Sequence, residues 1–569
     1  MYVKTTTRKT KSGQVRYLHL AHNEWDAAAR RSVPRLLYSF GREDELDKDA
    51  IRRLAASLAR LLDPPDALAA AAGSDLVFTE SRPYGGAYVL DALWRRLGIG
   101  AILAGLRPGG RGRPRDAGAT ERVLFGLVAN RALAPSSKLA AAEWMSRDVH
   151  IDGIGEVSDD ACYRAMDWLH AVRGELEKQV YFQVADVLDL EVDLLFFDTT
   201  STYFELEDAD EEVARNWRGE KAADGEADPD KTAGFRAHGK SKDSRDDLPQ
   251  IVIGLAVTRD GIPVRVWCWP GNTADSALIR QVKTDLREWV LGKIIWVADR
   301  GFSSARNRRF LQQGAGGYII GEKLRSGSPH VKAALSRQGR YQQAAGNLQV
   351  KEVRIADAAD RFIICYNPEA AVRDAAVRAD LIARLEETIA GSDKLTATKR
   401  AELRGKISTM PGLNRFLRVT PGGLLRTGKA RARAEENLDG KYLLRCADPQ
   451  MPAEDIALGY KQLLQVERGW RDMKSVLDLR PVYHRLEERI RAHVLLCWLA
   501  LLLTRVAENQ TGQTWPAMRR ELDRIHLGTF TGPAGTYQQR TELSKPARDL
   551  LAKLKIDPPR QIHELTTGT

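Results

Sequence analysis

Between residues 192 and 321, five short apolar runs follow one another: DLLFFD, QIVIGLAVT, PVRVWCWP, KIIWVAD and GGYIIG. Runs of this length, bounded by polar and turn residues, fit strands buried on both faces better than helices. Helix-like DSALIRQVKTDLREWV and SARNRRFLQQ stand among them, which predicts an α/β domain. RDG at 259–261 joins the second and third runs as a hairpin. The sheet is therefore expected to start antiparallel and to end strand, helix, strand. Two of the runs end in an acid, Asp198 and Asp299.

The remaining chain divides around this core. Residues 1–63 read as a small α+β module, with strand-like QVRYLHLA and VPRLLYSFG before a helical DKDAIRRLAASLARLL, and DPPD then breaks the pattern. Residues 64–190 carry helical patterns and are a candidate DNA-binding region. Residues 191–325 form the first part of the core, 326–438 a β-rich insertion subdomain, and 439–506 the second part of the core. Within that second part, one long helix is expected from about 453 through ALGYKQLLQVERGWRDMKSVLDL. Residues 507–569 are a tail with a possible role in dimerisation, and the polar stretch 205–249 reads as a mobile loop.

At 569 residues the chain exceeds what one core usually supports. Its formal charge of +11 favours an anionic partner, nucleic acid ahead of a membrane surface. The five cysteines are odd in number and far apart, and most sit in apolar stretches, so buried thiols in a reducing compartment are expected. No C-x-x-C or close Cys/His cluster suggests zinc. The basic N-terminus is followed by no apolar signal core. VLLCWLALLL at 494–503 is short against the roughly 20 residues of a membrane span and reads as a buried core helix. A cytoplasmic, nucleoid-associated protein is expected.

Taken singly, the acids have simple explanations. Asp198 before TTST and Asp299 after IIWVA can cap turns, and Glu467 can be a solvated helix residue. Taken together they suggest more. The expected sheet brings the two Asp residues to neighbouring strands, and a C-terminal helix can lay Glu467 beside them. Three hard carboxylates suit Mg²⁺, and two such ions about 3.5–4 Å apart serve phosphodiester displacement.

Here the sequence resembles the DDE transposases of bacterial insertion sequences, in the group marked by Tyr-x2-Arg-x3-Glu-x6-Lys. In YKQLLQVERGWRDMK, Tyr460, Glu467 and Lys474 fall on that spacing, while Leu463 holds the Arg position; Arg468 or Arg471 could replace it. FFDTTSTYFE, GKSKDSRDDLPQIVIGLAV, GIPVRVWCWPGNTAD and VADRGF resemble the family's other blocks, and NRALAPSSKLAAAEW does so more weakly. The long stretch between Asp299 and Glu467 fits members with a β-rich insertion before the Glu. The resemblance implies an α/β fold in which an RNase H-like mixed sheet, flanked by helices, is interrupted by that insertion and preceded by a helical N-terminal region. It implies that Asp198, Asp299 and Glu467 are catalytic and metal-binding, with Mg²⁺ as cofactor and Mn²⁺ as a substitute. Tyr460, Lys474 and Arg471 would support the site or contact phosphate. Double-stranded DNA, as element terminal repeats and target, would be the partner of a homodimer, without a membrane. The implied activity is cleavage at element ends and strand transfer.

Lys and Arg grip phosphates without reading sequence. Candidate contacts are Lys323 and Arg325 after the strand that follows Asp299, Arg426 and Lys429 in RTGKARAR, and Arg111 and Arg113 in GGRGRPRDAG, which resembles an A·T minor-groove hook. Trp470 could stack on an unpaired base, although a helix Trp three residues from Glu467 more often serves packing. A haloacid-dehalogenase-type phosphatase would need an Asp where Thr200 stands. A non-catalytic DNA-binding protein or inactive relic of a mobile element is the alternative, and the complete acid set argues against it.

Overall fold

The computed structural model describes the chain except residues 11–12, 27–29, 60–75, 107–116, 191–192, 224, 226, 229–230, 290–293, 315, 533–534 and 568–569. The chain splits into two compact units, one of Met1–Glu80, Gly528–Gln539 and Ile562–Thr569, the other of Ser81–Leu527 and Arg540–Gln561. The first unit holds an antiparallel sheet of Tyr2–Thr10, Gly13–Asp26 and Arg31–Arg42, followed by the helix Lys48–Ala59. Its first strand was not anticipated, because YVKTTTRKT alternates β-branched and charged residues without an apolar face.

The second unit is built on a nine-stranded sheet. In chain order its strands are β1 (Leu194–Tyr203), β2 (Gln250–Val257), β3 (Pro263–Pro270), β4 (Ile295–Ala298), β5 (Gly317–Glu322), β6 (Gln342–Ala345), β7 (Leu348–Arg354), β8 (Arg361–Tyr366) and β9 (Lys441–Cys446). Their spatial order is β6-β7-β8-β9-β5-β4-β1-β2-β3. β1, β4 and β5 run parallel, and β1-β2-β3 is an antiparallel meander. The five apolar runs are thus five adjacent strands. Residues 326–438 add β6, β7 and β8 to the same sheet, and then a helical part with the small ribbon Leu417–Val419 and Leu425–Thr427.

Alternation along each strand fills two cores. Leu194 and Phe196 face one, shared with the helices α1 (Ala117–Leu133), α2 (Asp159–Leu188) and α8 (Glu487–Thr511). Leu195 and Phe197 face the other, shared with α3 (Asp275–Arg287) and the stacked pair Trp267–Trp269. α8 is long and apolar enough to cross a membrane, yet nearly all of it is buried in this core, as its apolar run suggested. Between them in sequence lie α4 (Pro368–Ile389), α5 (Lys429–Glu436), α6 (Ala453–Lys461) and α7 (Leu464–Ser475).

Two expectations need correction. The single long helix from 453 is two helices, α6 and α7, separated by a turn at Gln462 and Leu463. Backbone bonds shorten there to the i+3 pattern, Leu463 N–H to Tyr460 O at 3.0 Å and Gln465 N–H to Gln462 O at 2.8 Å. The side chain at the joint, Leu463, is 8% exposed and packed in the core, so tertiary burial outweighs the helix propensity of this Leu-rich stretch. The 205–249 stretch is anchored rather than loose. Phe235 and Arg215 are each 2% exposed, and the Arg215 guanidinium donates to both Glu487 oxygens at 2.9 and 3.1 Å and to Ala233 O at 2.9 Å.

An uncompensated buried charge costs roughly 3–5 kcal/mol, and Arg491 still neutralises Glu487 once Arg215 is gone. Arg215→Ala is therefore expected to lose less than that while opening residues 205–249 to limited proteolysis. Mapping of the first cleavage sites checks this, and cleavage confined to other segments would contradict it.

Candidate active site

Parallel pairing of β1 and β4 sets Phe197 beside Ala298, so the next residues, Asp198 and Asp299, become neighbours. Asp198 continues the Leu194–Phe196 face and Asp299 the Ile295–Val297 face, and both of these belong to the helix-rich core. Each acid is only partly exposed. Burial pushes the Asp198 carboxyl up to about 6; Lys242 and the Thr199 N–H favour the anion, while Asp299 and Asp275 oppose it. Carboxylates so placed gain from a cation.

The signature residues stand around this pair. The Tyr460 hydroxyl, on α6, donates to Asp299 Oδ1 at 3.2 Å, and its ring stacks on Tyr442. Burial and the Asp299 charge raise its pKa, so it remains a donor. Lys474, near the end of α7, donates to both oxygens of Asp243 at 3.0 and 3.1 Å, and Arg480 pairs with the same carboxylate at 3.0 Å. Burial lowers the Lys474 pKa, opposed by Asp243. Val466, Gly469, Trp470 and Met473 form the buried stripe of α7, so Trp470 is a packing residue. Glu467 is exposed and, among the described residues, makes no side-chain hydrogen bond or ion pair. Seven positions place it on the same helix edge as Lys474. Among the described residues, the carboxylate oxygens of Asp198, Asp299 and Glu467 are not all within 4.8 Å of one another. The structure thus brings the two aspartates together and leaves the glutamate apart from them.

Leu463, at the signature Arg position, is buried and cannot reach phosphate. Arg468 is bound to Glu508 at 2.8 Å, whereas Arg471 is exposed. Of the candidate DNA contacts, Lys323 and Lys429 are exposed. Arg325 is paired with Glu435 at 2.7–2.9 Å, and Arg426 with Asp393 at 2.7 and 2.8 Å, both arginines being exposed. Arg111 and Arg113 lie outside the described residues.

Sequence reasoning passed over Lys242, Asp243, Asp275 and Gly321. Lys242 Nζ lies 3.8 Å from Asp198 Oδ1 and 3.4 Å from Asp275 Oδ2, and donates to Thr199 Oγ1 at 2.7 Å. The Lys-Asp pair in GKSKDS was the available signal. Gly321 on β5 faces Tyr460: a Cβ there would stand 2.4 Å from the phenol oxygen. A strand glycine often marks such a close approach. Beside it opens a cleft of about 360 Å³, lined by Asp299, Arg300, Tyr460 and its stacking partner Tyr442, and by Arg378 and Arg415 of the helical insertion.

If Tyr460 orients Asp299, Tyr460→Phe and Gly321→Ala should each lower DNA cleavage about 10–100-fold, the usual effect of removing a ligand's hydrogen-bond partner. Both should keep the wild-type circular dichroism spectrum. Full activity in both variants would remove Tyr460 from the site.

The Transposase DDE domain family matches residues 226–503, which include Asp299 and Glu467, and the IS1634 family transposase, N-terminal domain, matches residues 3–69. No curated protein matches the chain. A similar solved structure, the cryo-EM structure of piggyBac transposase synaptic complex with hairpin DNA, shares 11% identity over 77% of this chain and 78% of that one, at a TM-score of 0.33. The chain belongs to the DDE-type insertion-sequence transposases, enzymes of DNA cleavage and strand transfer.

Proposed function

We propose that this transposase carries out its phosphodiester chemistry at Asp198, Asp299 and Glu467, with Mg²⁺ as the divalent cation and Mn²⁺ as a substitute. The observation that carries the reading is the in-register pair of aspartates on one sheet face. Both offer hard oxygen donors in a partly buried site, which fits such an ion. A bound divalent cation supplies Lewis-acid activation and charge stabilisation for in-line displacement at phosphorus.

The chain's own groups do the rest. Tyr460 occupies one oxygen of Asp299 and leaves the other for a ligand. Lys474 and Arg480 fix Asp243, and so the segment that crosses β1 beside Asp198. Glu467 stands on the same α7 edge as Lys474, exposed and without a side-chain hydrogen bond or ion pair among the described residues, and is proposed as the third ligand. Exposed Lys323, Lys429 and Arg471 would meet DNA phosphates.

The strand pattern, an antiparallel β1-β2-β3 meander beside parallel β1-β4-β5, supports reading these five strands as an RNase H-like core extended by the insertion. Within this proposal the helical region 64–190 reads DNA, element ends and target DNA are the substrates, a homodimer holds two ends, and the enzyme works in the bacterial cytoplasm. Residues 507–569 are the proposed dimerisation segment.

Asp299→Asn removes a metal ligand and no phosphate contact. It is expected to abolish nicking of a plasmid bearing element ends while leaving affinity for the same DNA within a few-fold in gel-shift titration. A catalytically active Asp299→Asn protein would refute the site assignment.

A further inference from the structure

We propose that Lys242 is an internal counter-ion of the acid site, whose ammonium competes with a divalent cation for Asp198 and so sets how tightly the site takes metal. The inference rests on the reading of Asp198 as a metal ligand. Lys242 Nζ lies 3.8 Å from Asp198 Oδ1 and 3.4 Å from Asp275 Oδ2. Its remaining partners, Thr199 Oγ1 at 2.7 Å and the Thr199 carbonyl, are neutral. No other Lys or Arg pairs with Asp198 among the described residues.

The segment that carries Lys242 is fixed on both sides. Its own N–H donates to Ser201 Oγ at 2.8 Å, and the next residue, Asp243, is gripped by Lys474 and Arg480 at 3.0 Å each. The ammonium therefore approaches or leaves Asp198 by turning its flexible stem, without backbone movement. The side chain is 36% exposed, so a path to water is open.

A dication on Asp198 and an ammonium about 4 Å from the same oxygen repel each other, and one must yield. Lysine can yield cheaply because Asp275 and the Thr199 oxygens remain to hold it. Asp275, 41% exposed at the start of α3, is then the resting partner of the displaced charge. A purely structural ion pair predicts the opposite effect of mutation, since loss of Lys242 would loosen the segment over β1 and weaken the site.

The test is Mn²⁺ binding to the full-length protein without DNA, followed by the free-ion electron paramagnetic resonance signal. Wild type, Lys242→Met, Lys242→Gln and Asp198→Asn are compared, each with its thermal unfolding curve. Both Lys242 variants should bind Mn²⁺ about tenfold more tightly, the low end of what one opposite charge at this distance does to a carboxylate's affinity for a proton. If Lys242→Met fails to fold, Lys242→Gln carries the same expectation. Equal or weaker Mn²⁺ binding in the folded variants, with wild-type binding still lost in Asp198→Asn, overturns the counter-ion role and leaves the site reading standing. Mn²⁺ binding unaffected by Asp198→Asn overturns the site reading, and this inference with it.

Discussion

The pairing of two parallel strands in one register, Phe197 beside Ala298, is the constraint from which the site follows. It sets two carboxylates side by side on the same face of the sheet, and shifting either strand by one residue would send its acid to the opposite face. That register is held by burial on both sides, with Leu195 and Trp296 in one core and Phe196 and Val297 in the other. The electrostatic cost of adjacent acids is thus imposed by apolar packing. Tyr460 and Lys242 meet part of that cost, with a hydroxyl on Asp299 and an ammonium near Asp198.

The helix that carries the third acid is positioned by a buried charge network. Arg505 on α8, 1% exposed, donates to Asp472 of α7 and to Glu508 at 2.7 Å each, and Glu508 also accepts from Arg468 at 2.8 Å. Such a network gives little net stability after desolvation, but leaves few alternative settings for α7. Asp243 binds the same last turn of the helix through Lys474, two residues beyond Asp472. α7 is thus held through Arg468, Asp472 and Lys474, and by its buried stripe of Val466, Gly469, Trp470 and Met473.

What the sequence revealed was local or periodic. The strands β1 to β5 were legible because each is a short run of apolar residues, and the neighbouring positions of Asp198 and Asp299 followed from the hairpin and the strand-helix-strand order. Tyr460 was legible through signature spacing, although the single long helix expected there is broken: the turn at Leu463 separates Tyr460 from Glu467. What stayed hidden depends on partners far away in sequence. Arg215 meets Glu487 across 272 positions, and Arg325 meets Glu435 across 110. A charged residue carries no mark of such a partner, so neither the anchoring of the loop nor the pairing of Arg325 was legible. The break at Leu463 has no Gly or Pro to announce it.

The insertion strands have a mechanical consequence. β8 is hydrogen-bonded to β9, and β9 to β5, so the side of the cleft that carries Gly321 and Tyr442 is tied through unbroken ladders to the strands bearing the aspartates, whereas Arg378 and Arg415 belong to the helical part inserted between β8 and β9. A subdomain hung on two flexible linkers could swing aside like a gate. The strands behave as a fixed jaw, whereas the helical part that carries Arg378 and Arg415 leaves and rejoins the sheet at one neck, where Asn367 N–H donates to Gly440 O at 2.8 Å. The opening beside Asp299 therefore has one side set by the sheet and another whose setting depends on that neck.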